Sequence, residues 1–491
     1  MSERQSSSVG SLRAGVAKSD ITTSDPNVRV NDSLFAKALV LNDGTTTLVI
    51  ISMDAVAIGG ICDIKDNFLP KLRARIENDL NITGRNVLIN ASHTHPHGPL
   101  LCDDDEQVSR TFDTVRCAMQ NMATVKVGVG VGHEDRFIMN RTLRLKDGQQ
   151  WTIRHANPCP PDEEVESTGP IDPEIGILRI DRLNGRPFAV VFNFACHPYI
   201  GVPRGGVTAD YPGVACRVIE DNLGPGAMAL FLQGAAGDIA PILYKDVNRP
   251  RDAQPHGEML GLSTLKALRD IPTTDARLSV INERLDLPRR TDVPQRVEAL
   301  KQEQAELLAS LRFTSLNLKT FLPLYLKHAI HPEHPSDYSY RYLQAELMAT
   351  DELSAIDAEN RGNLQKYLGN VKAMEKLARI QDKIATLLRH KAINDESGEA
   401  TVTTEVQGIK IGDCVFITSP AEVLVQVGLN IKNASPYEHT FVAAFSNGYI
   451  HYGPPTADYD KGGYEVTECL LAPEWQQLYE DKARNVIHRL R

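Results

Sequence analysis

The sequence predicts an α/β fold with one helical insertion, and three observations predict it. Short apolar runs rich in β-branched or aromatic residues recur at Thr47–Ser52, Asn86–Ile89, Phe188–Phe194 and Met228–Leu232. Their length and composition are those of strands buried on both faces. Helix-like stretches such as Asp66–Asp79 and Tyr211–Asn222 lie between them, and this alternation over residues 14–285 is the α/β pattern. From Val293 to Ile393 the period changes to that of helices. One apolar stripe runs through Val297, Leu300, Leu307 and Leu311, a longer one through Leu364, Leu368, Val371, Leu377, Ile384 and Leu388. His328–Pro335 must break helix between them. Strand character returns at Thr401–Lys410, Val415–Thr418 and Phe441–Phe445. We therefore expect one core, residues 14–285 with 400–491, and a helical insertion, 293–395, that serves as a lid or a partner surface, including one for a homo-oligomer.

The 491 residues, 42% hydrophobic and 24% charged, are enough to bury a large core. A net charge of −10 argues against a nucleic-acid partner, because binding of phosphates rests on Lys and Arg. No apolar stretch approaches the roughly 20 residues of a transmembrane segment. Met1–Gly10 is polar and Ser-rich, unlike a secretory signal. The eight cysteines are dispersed without a Cys-x-x-Cys pair, as expected of reduced thiols. These features together lead us to expect a cytoplasmic protein.

Several strand-like runs end in metal-competent groups. Val87–Ile89 leads into Asn90-Ala91-Ser92-His93-Thr94-His95-Pro96-His97, and Phe188–Phe194 into Ala195-Cys196-His197. Val415–Thr418 leads into Ser419-Pro420-Ala421-Glu422, and the run ending at Phe445 into Asn447-Gly448-Tyr449-Ile450-His451-Tyr452. Ligands of open α/β sheets bind beyond the carboxyl ends of strands. His93 and His95, two apart on extended chain, point to one face, and imidazole with carboxylate suits Zn²⁺. The same residues also read as a polar turn, His197 as a satisfied core histidine, and Glu422 as a helix-end charge. Weaker signals are Gly128, Gly130 and Gly132, which read as a glycine-rich strand because His133 spoils a dinucleotide fingerprint. His328, His331 and His334 read as an exposed turn before a second metal site. Cys196 reads as a core filler before a nucleophile.

Taken in order, these segments resemble the neutral/alkaline ceramidases, zinc amidases that cleave an N-acyl bond. The resemblance rests on Gly15-Val16-Ala17-Lys18-Ser19-Asp20-Ile21-Thr22, His93-Thr94-His95, Asn140-Arg141, His197, Gly237-Asp238-Ile239-Ala240-Pro241, Glu422, and Tyr452 followed by Gly463-Tyr464-Glu465. It covers about residues 14–285 and 400–470. It implies a mixed β-sheet core flanked by helices, with Zn²⁺ held by His93, His197, Glu422 and Tyr452. His95 is then the general acid–base, Arg141 and Tyr464 bind the substrate carbonyl or its oxyanion, and Asp20 lines the pocket. His97, within a lengthened Pro96-His97 rim, joins the substrate-binding set or competes as a ligand. Ala240 stands where the family has serine, so attack by metal-bound water on a small-molecule amide is expected without an acyl-enzyme. The chain ends at Arg491 without the family's immunoglobulin-like domain, which favours a soluble N-acyl compound over bilayer ceramide. Opening of an ester or lactone at the same site, and a non-catalytic metal-containing scaffold, are the competing readings.

Overall fold

The computed structural model describes residues 11–95, 99–153, 159–241, 251–335 and 340–490. The chain divides into two compact units, residues 1–290 with 398–491, and 291–397.

The first unit contains a mixed eight-stranded sheet. Its strands are β1 (Arg13–Asp20), β2 (Phe35–Asn42), β3 (Thr47–Met53), β4 (Val87–Ala91), β5 (Ala123–His133), β6 (Glu174–Arg182), β7 (Pro187–Phe194) and β8 (Met228–Gln233). Their spatial order is β8-β7-β6-β5-β1-β2-β3-β4. The outer pairs β3–β4 and β7–β8 are parallel, the inner pairs antiparallel. A second sheet follows the order β9 (Leu278–Pro288), β10 (Thr401–Ile411), β11 (Cys414–Thr418), β12 (His439–Ala443).

Alternation along the strands sorts side chains into layers. Leu39, Ile50, Leu178, Phe188 and Leu230 of the large sheet pack on Ile409, Phe416 and Phe441 of the small one. The other face of the large sheet is covered by α1 (Phe68–Leu80) and α2 (Asp104–Gln120), then by α3 (Asp210–Leu223) and α4 (Gln254–Leu268). Helices Val425–Ala434 and Trp475–Arg489 cover the outer face of the small sheet. The result is an α/β/β/α stack of the mixed kind expected. The glycines of β5 have a packing reason: a Cβ on Gly128 would lie 2.0 Å from the Pro272 carbonyl oxygen, and one on Gly130 2.7 Å from Ile271.

One junction decides where the site forms. β1 and β5 pair only at Arg13↔Thr124 and Ala14↔Ala123, so the two halves of the large sheet need not be coplanar. Their outer strands are cross-tied instead. The Gln233 N–H donates to Asn90 Oδ1 (2.8 Å), and the Ser52 hydroxyl to the Phe231 carbonyl (2.6 Å). Segments far apart in sequence thus end side by side.

The second unit is helical: α5 (Val293–Ser310), α6 (Leu318–Ile330), α7 (Tyr340–Leu347) and α8 (Glu352–Ser397). Val293, Val297, Ile380, Ile384 and Leu387 form its core. Val371 and Leu388, which the period assigns to the buried stripe, are exposed. Over a 46-residue helix a stripe of fixed spacing drifts around the axis. α6 lies outside the two apolar stripes expected of this segment. It contains Pro323 and is started by an Asn317–Thr320 capping box. Among the described residues no helix is long and apolar enough to cross a membrane.

Candidate metal centre

His93 follows β4 and sits in the left-handed backbone region (φ +67°). Phe445, Asn447 and His451, after β12, share that region. A side chain other than glycine held there costs on the order of 1–3 kcal/mol, and such strain clusters at functional sites. The turn places the His93 ring against Phe445, with centroids 4.1 Å apart. His197 follows β7. Glu422 and Tyr452 are direct partners in a two-residue parallel ladder, Glu422–Val423 with Tyr452–Gly453, which sets their side chains side by side.

Hydrogen bonds fix the tautomers. His93 Nδ1 lies 2.6 Å from the Val56 carbonyl, and His197 Nδ1 2.6 Å from that of Ala236. A carbonyl accepts, so both Nδ1 atoms carry a proton and both Nε2 atoms are turned into the recess. They converge on Glu422 Oε2, at 3.5 Å from His93 and 3.3 Å from His197. Burial pushes His197 down to about 4, with the Arg141 cation adding to it, so the ring is uncharged near neutral pH. His197 Nε2 and Glu422 Oε2 are buried without a hydrogen-bond partner. Imidazole nitrogens and a carboxylate oxygen gathered in a buried place, two of them without a partner, are the arrangement a cation resolves. The other Glu422 oxygen accepts from the Tyr449 hydroxyl at 2.5 Å.

His95 turns its Nε2 onto His93 Nε2 at 2.8 Å. Ligand atoms of His93, His95 and His197 all lie within 4.8 Å of one another. His95 is therefore placed to donate to His93 or to act as a third imidazole ligand. The residue as a whole reaches solvent, but its ring edge is inside the recess. Desolvation there, then the neighbouring His93 and His197, hold it well below its ordinary value.

Arg141 is buried beside this cluster. Its Nε donates to Glu465 Oε1 (2.9 Å), and its Nη2 to the Gly237 carbonyl (2.8 Å) and the Tyr452 hydroxyl (3.0 Å). Its guanidinium carbon lies 5.8 Å from the Tyr452 ring centroid and 5.7 Å from that of Tyr464. Burial opposes the charge, but Tyr452, Tyr199 and Glu465 hold Arg141 well above its ordinary value. Burial, then Glu422, raises Tyr452 well above its own, so it presents a neutral phenol.

The Gly237–Pro241 segment ties these parts together. Gly237 N–H donates to the Val423 carbonyl beside Glu422. Asp238 accepts from Asn140 (2.7 Å) and from the Val425 N–H (2.8 Å). Ile239 pairs with Asn140 next to Arg141, and Ala240 is fully buried.

The structure thus gathers His93, His95, His197, Glu422, Tyr452, Arg141 and Tyr464. Asp20 ends β1 on the surface, where it accepts from the Thr22 N–H (2.8 Å) and faces Arg110, whose guanidinium bonds its carbonyl. His97 lies outside the described residues. Among the described residues His328, His331 and His334 are not gathered into a ligand cluster. Three contributors go beyond the sequence expectation: Tyr449, Glu465 and Tyr199, whose ring lies 5.1 Å from that of His197. Each is within three residues of an expected one, and that adjacency is the available signal.

No family model matches the chain, and no curated protein does. Solved structures are similar to it. One is the neutral ceramidase from Pseudomonas aeruginosa, 17% identical, with a TM-score of 0.61 over 98% of this chain and 75% of that one. Another is a ceramidase complexed with C2, 16% identical, with a TM-score of 0.61 over 98% of this chain and 76% of that one. The chain has the neutral ceramidase fold.

Proposed function

We propose that on this fold the chain is a metal-dependent hydrolase of an amide (N-acyl) bond, with Zn²⁺ the ion. Its substrate is a small N-acyl compound or a ceramide-like lipid amide. The observation that supports this most is the convergence of His93 Nε2, His197 Nε2 and Glu422 Oε2, two of them buried and unpartnered. Two imidazoles, a carboxylate and the Tyr452 phenol make a donor set suited to Zn²⁺. When bound there, the ion supplies Lewis acidity for a carbonyl and lowers the pKa of water.

The rest of the chemistry belongs to the side chains. In hydrolysis a water oxygen bonds the acyl carbon, the C–N bond breaks, and the amine nitrogen takes a proton. His95, neutral near pH 7, can take the proton of the attacking water and deliver it to the amine. Arg141 and the Tyr464 phenol form a cationic, proton-donating wall for the oxyanion, each donor worth roughly 3–4 kcal/mol in comparable sites. Glu465 and the Gly237 carbonyl hold the guanidinium so that it need not reorganise. Ala240 offers no hydroxyl, so no acyl-enzyme is expected at that position.

The test is metal analysis of the purified protein together with a panel of N-acyl amines, esters and lactones. One zinc per chain with preference for amides supports the reading. Full zinc occupancy in His93→Ala or His197→Ala overturns the ligand assignment, and turnover confined to esters or lactones overturns the substrate class. His95→Ala should retain zinc yet lose about 10²–10⁴ in turnover.

A further inference from the structure

We infer that the outward face of α6 is a docking surface for an anionic lipid bilayer. Leu318, Leu322, Tyr325, Leu326 and Ile330 recur at helical spacing on α6, and all are exposed, Leu318 by 66% and Ile330 by 67%. The opposite face packs inward: Phe321 is buried and stacks on Tyr367 with centroids 4.4 Å apart. The inner contact is therefore already made, and the apolar outer stripe is additional to it. Phe313, just before the helix, is 92% exposed. An exposed apolar stripe on a helix, unlike scattered single residues, marks an interaction surface.

Charge identifies the occupant. The chain carries 63 acidic residues, yet between Glu306 and Glu333 there is none, while Arg312, Lys319 and Lys327 fall in that stretch. A local cationic segment on a chain of net charge −10 opposes the overall field. A second copy docking by the same face would set lysine against lysine across the two-fold axis. A bilayer with anionic headgroups accepts the leucines and aromatics into its boundary and pairs with the cations. Tyr325 suits the headgroup level. The inference is independent of the chemistry assigned to the histidine centre.

The experiment is flotation of the full chain with vesicles of phosphatidylcholine, alone or with about one third phosphatidylglycerol. Wild type should float with the anionic vesicles, less with the neutral ones, and less as salt rises from about 0.1 to 0.5 M. Leu322→Glu/Leu326→Glu should lower partitioning about tenfold or more, and Lys319→Glu/Lys327→Glu should lower it on anionic vesicles alone. Leu322→Gln/Leu326→Gln, with helix content checked by circular dichroism, separates docking from misfolding. Turnover of a water-soluble amide should be unchanged in all three variants, so failure here is distinct from failure at the metal centre. No flotation with anionic vesicles, or flotation unaffected by the leucine variants, overturns the inference. So does a wild-type dimer that the leucine variants convert to monomer.

Discussion

The Tyr449 hydroxyl occupies Glu422 Oε1, which leaves Oε2 to face the two imidazoles. Without that bond the carboxylate can rotate and divide its charge. Tyr449→Phe should therefore lower zinc affinity about 10–100-fold, the range for partners that orient ligands. Competition with a chelator reads this directly, and unchanged affinity would remove Tyr449 from the role. Tyr449, like Glu465, is legible only through its adjacency to an expected residue, because the sequence gives no sign of what its side chain meets. His93, His95 and His197 are more legible, since histidines after apolar runs carry their chemistry on their face. Asp210 gives a pH prediction at the same scale. It begins α3 with φ +54° and accepts from Gly201 N–H (2.6 Å) and Tyr211 N–H (2.8 Å). Burial raises its carboxyl from 3.8 to about 7. Between those values the folded state binds more protons there than the unfolded state, so this contribution to stability declines as pH rises through the window. The stability of wild type relative to Asp210→Asn should fall from pH 4 to pH 7 by a few kcal/mol, since each tenfold difference in proton affinity is worth roughly 1.4 kcal/mol. Denaturant titrations across that range check it, and a flat difference would refute it.

At the scale of elements, β3, β7 and β8 are readable because burial on both faces leaves unbroken apolar runs, which the half-exposed β1 and β9 lack. The Glu422–Val423 ladder is not. Two residues have no period, and their pairing with Tyr452–Gly453 depends on how the chain enters from β11 and β12. Gly237 guards that ladder. A Cβ there would lie 2.6 Å from the Glu422 carbonyl oxygen and 2.9 Å from Leu424. Gly237→Ala must push the Glu422 strand aside, at a cost of roughly 1–3 kcal/mol for such overpacking. The core strands do not depend on this contact, so the expected variant is folded, modestly less stable, and deficient in zinc. Thermal melts paired with metal analysis distinguish this from general unfolding. Normal zinc content in Gly237→Ala would show that the ladder tolerates displacement.

At the scale of the whole molecule, the proposed centre draws on segments near residues 93, 141, 197, 422 and 452, cross-tied where the halves of the large sheet meet. Which segments meet depends on the corner between β1 and β5, and no local pattern announces a corner. Such a centre couples metal to stability, and the coupling has a sign that can be worked out. In the metal-free protein the Nε2 atoms of His93 and His197 face Glu422 Oε2, and neither that oxygen nor the neutral His197 Nε2 has a hydrogen-bond partner. That is a buried carboxylate oxygen without a donor, a destabilising arrangement. Glu422→Gln keeps an oxygen for the Tyr449 hydroxyl and turns an NH₂ group toward the imidazoles, replacing repulsion by donation. Without metal, Glu422→Gln should therefore melt at or above the temperature of wild type. With zinc the order reverses: free ion at 100 times Kd stabilises wild type by about 2.7 kcal/mol, a rise of a few degrees, and the variant gains little. Melting curves of both proteins, with a chelator and with zinc, test the crossing. If Glu422→Gln is the less stable of the two even with chelator, the carboxylate serves a structural bond rather than an ion. If both proteins gain equally from zinc, the ion binds elsewhere.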